Sequence, residues 1–285
     1  MELWWNLGDW PLENSKDDDP LPMISWCKDE GKSKDLILPT WYLTRATVRM
    51  MNGVIPDIFT VQGASSPKWN QKEEVGFFRG RDSRKERLDL ATMSHAEQKE
   101  HIDAAITQYF FFNQDEKMHG PKVGHIPFED FFQRKYQINV DGTVAAYRFP
   151  FLMVGDSLVM KQNSKYYEHF YKEMKEWEHY VPLNHNLTDA IEKVKWAREN
   201  DGEAKKIMLA GRKHARELLT PGNIFCYHLQ FFKQYAARQE GKVKVLKRMD
   251  EVTQNKSSCD CKSRKQKAAD KKKQGSGRAK TKDEL

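Results

Sequence analysis

The chain has 285 residues, of which 48 are Lys or Arg and 41 are Asp or Glu, so its formal net charge is +7. Residues 256–285 hold eleven of the basic and four of the acidic residues, which leaves 37 of each in residues 1–255. The basic charge therefore belongs to a C-terminal tail and not to a nucleic-acid-binding face of the body.

The N-terminal residues predict a strand followed by a turn. The apolar run Leu3–Leu7 is typical of a buried strand, and Gly8 and Asp9 turn the chain after it. A signal peptide is not expected, because Glu2 stands where a basic charge is needed and Pro11 ends the apolar run early. No apolar stretch of the sequence approaches the roughly 18 residues of a membrane span. We expect the C-terminal part of a longer protein, or an alternative start within one.

Strand-like and helix-like segments alternate after a polar loop at 13–20 and a Gly- and Pro-containing connection at 53–72. This alternation indicates an α/β fold with a mainly parallel sheet. Three helices follow at the end of the ordered sequence, the first with Thr188 as a candidate N-cap. The predicted strands are 75–79, 109–112, 136–140 and one from 158, and the predicted helices are 84–94, 128–135, 143–154, 188–199, 203–219 and 223–239.

An arginine-rich turn is the first candidate binding segment. It joins a predicted strand to the start of a predicted helix, where backbone N–H groups favour an anion. Arginine forks match phosphate oxygens, and cations are otherwise disfavoured at a helix N-terminus. The alternative is a solvated helix start with Asp82 and Glu86 as local partners. The four arginines are Arg79, Arg81, Arg84 and Arg87.

The second candidate segment follows the predicted strand 136–140. Gly142 permits a tight turn, small residues open the next predicted helix, and Arg148 lies about one turn into it. Such a turn lets a diphosphate approach backbone amides at the carboxyl end of a strand. Neither G-x-G-x-x-G nor G-K-[ST] is present, so the segment is not an NAD or ATP fingerprint. Close packing of small residues against the sheet is the alternative.

A carboxylate just past a strand end suits Asp9 for work as a general base, although most such residues cap turns. No metal site is predicted. The run Asp17–Asp19 lies in a polar loop with no apolar strand before it, and Cys259 and Cys261 are too few for zinc. The remaining cysteines, Cys27 and Cys226, either pair with partners outside the chain or lie buried.

The C-terminus matches a sorting signal. Its last residues match the retrieval signal of soluble proteins of the endoplasmic reticulum, which favours a lumenal protein and a receptor for that signal as a partner. We then interpret the basic tail as a solvated tether that exposes this signal, and the alternative is a tail that binds RNA or DNA. Asn186 and Asn255 are candidate N-glycosylation acceptors. The signal consists of Lys282, Asp283, Glu284 and Leu285.

Several long strings together resemble one family. These include NLGDWPLE, FFRGRDSRKERLDL, KYQINVDGTVAAYRFPFL, GDSLVMKQ, HYVPL and the terminal KDEL. They resemble the protein O-glucosyltransferases related to fungal capsule-associated proteins, in the KDEL-motif-containing branch. The resemblance implies a two-lobed GT-B glycosyltransferase with a largely complete Rossmann-like donor lobe at 61–240. Residues 1–60 would be a remnant of the acceptor lobe, which is mostly missing, and 241–285 the flexible tail.

The same resemblance implies inverting transfer of glucose, or xylose, from a UDP-sugar to serine in EGF-like repeats, without a metal or other cofactor. Asp9 would be the base, and Arg87 and Arg148 would hold the diphosphate. Arg81 stands where a related branch has serine. Implied partners are EGF-repeat proteins such as Notch-type receptors or fibrillin-type matrix proteins. The alternative is an inactive product that at most binds UDP-sugar. The nucleotide pocket would be lined by Thr143, Val144, Ala145, Ala146, Tyr147 and Arg148.

Overall fold

A five-stranded sheet organises the part of the chain that carries the arginines. The computed structural model describes residues 1–16, 18–51, 67–96 and 99–240. These residues belong to one unit, Met1–Glu240, and the second unit, Gly241–Leu285, lies outside the described residues. The strands are β1 Trp4–Trp5, β2 Met23–Ser25, β3 Lys28–Asp29, β4 Leu36–Ile37, β5 Glu73–Arg81, β6 Ile102–Gln108, β7 Arg134–Asn139, β8 Leu158–Gln162, β9 Tyr166–Tyr167 and β10 Val181–Leu183.

Seven α-helices lie in the described part of the chain. None of them combines the length and the apolar character that a membrane span needs. Short 3₁₀ turns at Trp69–Gln71, Phe128–Gln133 and Tyr171–Glu173 complete the elements. The helices are α1 Trp41–Met51, α2 Lys85–His95, α3 Glu116–His119, α4 Phe149–Met153, α5 Ala190–Glu199, α6 Asp201–Leu218 and α7 Pro221–Arg238.

The large sheet is parallel throughout and has the order β6-β5-β7-β8-β10. The predicted α/β fold with a mainly parallel sheet is therefore confirmed. After β5 the chain moves to one side of that strand to form β6, and it then returns to the other side to form β7. Ligands of open parallel sheets bind where the strand order reverses in this way, at the carboxyl ends of the strands.

Both faces of the large sheet are covered, as parallel sheets require. Neighbouring residues of β5 point to opposite faces, so Phe78 joins the cluster under α5 and α6 while Phe77 joins the cluster around α4. All five residues of β8 are buried. The sheet is thus a rigid support for the loops at its carboxyl edge.

A smaller parallel sheet, in the order β1-β2-β4, carries the N-terminal segment. A two-stranded antiparallel pair joins this segment to the rest of the fold, because β3 pairs with β9. Its partners are Lys28 with Tyr167 and Asp29 with Tyr166. The segment that bears Asp9 is therefore fixed against the region that follows β8.

Two predicted strands differ from the structure. The run at 3–7 does form β1, but Trp4 and Trp5 are exposed, since β1 is an edge strand that pairs only with β2. The run at 109–112 is not a buried strand. It follows strand β6, and the sequence pattern did not predict that strand. Phe110 is 65% exposed because the Asp82 carboxylate binds the backbone there and turns the chain outward.

The helix predicted at 143–154 is also wrong over its first half. Helical structure begins only at Phe149, with Pro150 in its first turn, and Arg148 occupies the N-cap position. The preceding residues form an irregular loop in which Gly142 N–H donates to Val144 O at 2.8 Å. Because this loop turns back on itself, its backbone is not available for a continuous helix.

The other predicted elements are confirmed within a few residues, except that the helix predicted at 128–135 is a 3₁₀ turn, Phe128–Gln133, followed directly by β7. Thr188 is not the N-cap of α5: Asp189 holds that position, and the Thr188 hydroxyl donates to Asn186 Oδ1 at 2.9 Å. Most of the predicted connection at 53–72, and Asp17, lie outside the described residues.

Candidate active site

A cleft of about 490 Å³ opens at the carboxyl ends of β5 and β7, where the strand order reverses. It brings together the arginine-rich turn, the loop at 142–148 and Asp9, which lie far apart in sequence. The sequence-predicted residues that line it are Asp9, Arg81, Arg87, Thr143, Val144, Ala145, Ala146, Tyr147 and Arg148. Their assigned roles stay predictions, but their proximity is a property of the structure.

Gly80 marks the point where two guanidinium groups converge. A Cβ atom at Gly80 would lie 3.2 Å from Arg87 Nη1 and 3.4 Å from Arg148 Nη2. It would also lie 2.8 Å from the ring of Phe78. A side chain at this position would therefore push the two guanidinium groups apart. The sequence pattern did not single out Gly80, because its importance arises only from the approach of Arg148 from a distant loop.

Backbone carbonyls fix the guanidinium of Arg87. Its Nε donates to Asp141 O at 2.7 Å, its Nη2 to Val140 O at 3.1 Å and its Nη1 to Arg81 O at 3.0 Å. These acceptors lie at or just beyond the carboxyl ends of β5 and β7. Arg148 is held in a similar way, since its Nη1 donates to Arg79 O at 2.5 Å. Both side chains are thus positioned without neutralisation of their charge.

No ion pair balances the positive charge of these two arginines in the described part of the chain, although the Asp141 carboxylate acts to raise the pKa of Arg87. In the described part of the chain Arg79, Arg84 and Arg134 form ion pairs, whereas Arg87 and Arg148 form none. Burial and the neighbouring guanidinium of Arg148 lower the pKa of Arg87 to about 9, and burial together with Arg81 lowers the pKa of Arg148 to about 10. Both remain charged at neutral pH, and an anion bound between them would relieve this repulsion.

The loop at 142–148 both packs and lines the cleft. Val144, Ala145 and Ala146 are buried, as the close-packing alternative expected, while Thr143 and Tyr147 are partly accessible. Small side chains here keep the backbone near the cleft and near the guanidinium pair. The two interpretations of the segment therefore describe different sides of the same loop.

Asp82 has a role that differs from the expected pairing with arginine. Its buried carboxylate accepts N–H bonds from Phe110 at 2.9 Å and from Phe112 at 2.8 Å, and it also binds Phe111 N–H. Arg81 remains exposed, with its guanidinium over the Phe110 ring at 5.7 Å. Asp82 thus shapes the rim of the cleft and leaves the arginine charge unpaired.

The Asp9 segment is anchored by a buried polar network that the sequence did not reveal. Asn6 Nδ2 donates to Trp10 O at 2.6 Å and to Ser25 Oγ at 3.0 Å. The Ser25 hydroxyl donates to Asp35 Oδ1 at 2.6 Å, and the same carboxylate accepts the backbone N–H groups of the two residues after Pro11. Asp9 itself is exposed and lines the cleft.

Part of the cleft lining is aromatic. Its residues come from three parts of the chain and include groups that the sequence analysis did not name. An apolar, planar surface of this kind suits a nucleobase beside a cationic diphosphate site. No local pattern identifies these residues, since four of them lie in the short segment before β7 and the other two in helices α1 and α4. They are Tyr42, His125, Ile126, Phe128, Phe131 and Phe151.

Metal ligands are not clustered in the described residues, where no group of three or more His, Cys, Asp or Glu side chains is suited to a metal ion. Asp18 and Asp19 are exposed, and Asp17 lies outside the described residues. Asp9 is the acidic residue among the described lining of the cleft. The arginine pair is the cationic element that the geometry offers to an anionic ligand.

The model of glycosyl transferase family 90 matches residues 1–284 of this chain. The chain belongs to glycosyl transferase family 90. It is 52% identical over 257 residues to "Protein O-glucosyltransferase 3" of Rattus norvegicus, covering 89% of this chain and 50% of that protein. It is 48% identical over 257 residues to "Protein O-glucosyltransferase 2" of Danio rerio, covering 90% of this chain and 51% of that protein. The resemblance inferred from the motifs is confirmed.

This family member spans about half the length of the curated relatives that it matches. Among solved structures, TarM is similar with a TM-score of 0.45 and 15% identity, covering 59% of this chain and 36% of that chain. That likeness is too distant to bear on function. The assignment to the family therefore rests on the sequence matches.

The remaining predicted sites are separate from the cleft. Asn186 is exposed in the turn before α5, so its side chain is accessible. Asn255 and the retrieval signal, residues 282–285, lie outside the described residues. Cys27 is buried and Cys226 is exposed, and neither forms a disulfide.

Proposed function

We propose that this protein transfers glucose, or xylose, from a UDP-sugar to serine of EGF-like repeats in the lumen of the endoplasmic reticulum. The transfer inverts the anomeric carbon and uses no metal. One observation carries the proposal: two positioned, unpaired guanidinium groups converge above Gly80 in the same cleft that Asp9 lines. The relatives' name, protein O-glucosyltransferase, supports glucose as the sugar and protein as the acceptor.

The donor is a nucleoside diphosphate sugar on this proposal. Arg87 and Arg148 bind the diphosphate, because arginine donates parallel N–H bonds that match phosphate oxygens. The aromatic part of the cleft lining, with Phe128 and Phe131, receives the nucleobase. A volume of about 490 Å³ lies within the usual range for small-molecule sites.

The reaction is a single displacement at the sugar. The Asp9 carboxylate accepts the proton of the serine hydroxyl while that oxygen forms a bond to C1 of the sugar. The bond from C1 to the diphosphate oxygen breaks, and its electron pair leaves with UDP. Arg87 and Arg148 stabilise the charge that develops on the departing diphosphate, the task that a metal ion performs elsewhere. Because attack and departure occur on opposite sides, the configuration inverts.

The proposed fold and cellular setting extend beyond the described residues. The parallel sheet is the donor lobe of a two-lobed GT-B enzyme, and residues 1–60 belong to its acceptor side. The terminal signal recruits the retrieval receptor, and acceptors are EGF-repeat proteins of the Notch or fibrillin type. The alternative is a chain that binds UDP-sugar without transfer.

The proposal is tested by transfer of radiolabelled glucose from UDP-glucose to a folded EGF-like repeat, with UDP-xylose in parallel. Asp9→Asn removes the base, so we expect transfer to fall at least about 100-fold while UDP still binds. Asp19→Asn is the matched control, because Asp19 is an exposed aspartate outside the cleft lining. Transfer by Asp9→Asn at the rate of the unchanged chain would contradict the assignment, and UDP binding without any transfer would favour the alternative.

A further inference from the structure

A chain of contacts connects the loop at 142–148 to the backbone of Asp9. The Tyr147 hydroxyl donates to Cys27 Sγ at 3.7 Å, and the Cys27 thiol donates to Asp9 O at 3.5 Å. The two hydrogen bonds run in one direction, from the Tyr147 hydroxyl through the Cys27 thiol to the Asp9 carbonyl. Cys27 therefore stands between the proposed base and the proposed diphosphate loop, which lie more than 130 residues apart in the sequence.

The thiol of Cys27 keeps the proton that this arrangement needs. It has no exposed surface, and burial raises its pKa to about 12. Burial also raises the pKa of the Tyr147 hydroxyl well above its ordinary value. Both groups are therefore neutral donors at neutral pH, and the thiol is not a reactive thiolate.

Packing places Cys27 at the same junction. It forms a cluster with Val144, Ala145 and Tyr166, against which Tyr147 also packs. The next residue of the base segment, Trp10, meets the Tyr166 ring edge-on, with centroids 6.2 Å apart. Apart from this cluster, the anchors of the segment come from its own N-terminal region, so Cys27 links the base to the donor loop.

We propose that Cys27 and Tyr147 are positioning residues that hold the backbone of Asp9 at a fixed distance from the donor loop. The inference rests on the proposed function for its catalytic meaning. A base must meet the acceptor hydroxyl within about 3 Å while the sugar is held by the diphosphate loop. A small displacement between the two would lower the rate, because transfer depends on their relative placement.

Hydrogen exchange of the base segment tests the tie without requiring turnover. In the full chain we expect Cys27→Ala to increase the rate of hydrogen exchange of the peptide covering residues 6–13 about fivefold. The variant loses one hydrogen bond, whose net contribution to local stability corresponds to a change of that size. Tyr147→Phe should raise exchange of the same peptide, although it lies more than 130 residues away in sequence. Cys226→Ala, at an exposed free cysteine, is the matched control and should leave exchange unchanged.

Cys27→Ser distinguishes hydrogen bonding from packing. Serine keeps a donor and an acceptor but loses the larger sulfur atom, so on our proposal it restores part of the protection lost in Cys27→Ala. If packing alone mattered, the serine variant would exchange as fast as the alanine variant. That result, or an unchanged exchange rate in Tyr147→Phe, would overturn the proposal.

Transfer kinetics separate this inference from the proposed function. For an active chain, we expect Cys27→Ala to lower kcat about tenfold with the Kd for UDP unchanged, and Cys27→Ser to recover part of kcat. An unchanged kcat in Cys27→Ala would contradict the catalytic meaning of the tie. Absence of transfer by the unchanged chain would instead contradict the proposed function, while the exchange result would still decide whether the tie exists.

Discussion

Glu168 is fully buried and its carboxyl group is only half satisfied. Its Oε1 accepts a hydrogen bond from the Tyr171 hydroxyl at 3.2 Å, and its Oε2 has no hydrogen-bond partner in the described part of the chain. Burial raises the pKa of Glu168 to about 8. The side chain is therefore mostly protonated at neutral pH, because ionisation would place an uncompensated charge in the core.

The raised pKa predicts a loss of stability with rising pH. Between the unfolded pKa near 4.5 and the folded pKa near 8, the folded chain binds the proton more tightly, so stability from Glu168 is full below pH 4.5 and falls as pH rises through 8. The cost above pH 8 is up to roughly 5 kcal/mol. Glu168→Gln should remove this contribution to the pH dependence of stability.

Thermal unfolding from pH 5 to pH 9 measures that effect. The expected result is a flatter pH profile for Glu168→Gln than for the unchanged chain, with the variant more stable at the alkaline end. Glu217→Gln, at an exposed glutamate, is the control and should leave the profile as it was. Parallel profiles for the unchanged chain and Glu168→Gln would show that the carboxyl group is ionised in the folded protein.

At the scale of elements, helix α6 carries two glycines with opposite requirements. A Cβ atom at Gly211 would overlap the backbone carbonyl of His179 and approach Met153 Cε at 2.8 Å. At Gly202 a Cβ atom would meet nothing within 4 Å. Helix α6 therefore has no space for a methyl group at Gly211, and it has space for one at Gly202.

These glycines predict opposite changes in the free energy of unfolding. Gly211→Ala should lower it by roughly 1–3 kcal/mol, because the helix must move away from the backbone at His179. Gly202→Ala should raise it by up to about 1 kcal/mol, since alanine is the better helix former. Denaturant unfolding of the two variants checks both. A Gly211→Ala variant as stable as Gly202→Ala would show that the helix does not pack there as described.

The elements that the sequence predicted well are those with local signals. Strands β5 and β7 and helix α2 lie in segments where turn residues and apolar runs alternate clearly. The aromatic run at 110–112 was misassigned because its conformation depends on Asp82, which lies about 30 residues earlier. A run of phenylalanines has the composition of a buried strand, and only the tertiary contact turns it outward.

In the candidate site, too, some residues were predictable from local sequence and others depend on tertiary contacts. Charge and spacing indicated the two segments that hold Arg87 and Arg148, and the family resemblance selected these two arginines. A carboxylate after a strand was enough to suggest Asp9. Their supports were not predictable. Gly80 matters because a distant guanidinium approaches it, and Asp35 matters because it binds a segment more than 20 residues away. Such contacts arise from the packing of the folded chain.

At the scale of the whole molecule, an apolar groove of about 680 Å³ lies between the small sheet and α7. Trp4 and Leu36 line one side, and Phe231 and Tyr235 line the other. Trp4 is 45% exposed. Exposed aromatic surface of this kind favours association in water, so we expect this chain to be poorly soluble.

Concentration-dependent light scattering measures that association. We expect the chain to self-associate at micromolar concentration, and the double variant Trp4→Gln, Phe231→Gln to associate less because the groove loses apolar area. Leu209→Gln, an exposed leucine of α6, is the control for a polar substitution outside the groove. A monomeric, cooperative melt of the unchanged chain at high concentration would contradict the prediction.

The central claim is that the arginine cleft binds a nucleoside diphosphate, and calorimetric titration of UDP into the full chain tests it most directly. We predict saturable binding to one site, weakened at least about tenfold in Arg87→Ala and in Arg148→Ala through the loss of charged hydrogen bonds. Gly80→Val should weaken it too, because its side chain meets both guanidinium groups. Arg238→Ala, an exposed arginine outside the cleft lining, should bind as the unchanged chain does. Two results would contradict the account: no binding of UDP by the unchanged chain, or an affinity for UDP in Arg87→Ala and Arg148→Ala that equals that of the unchanged chain.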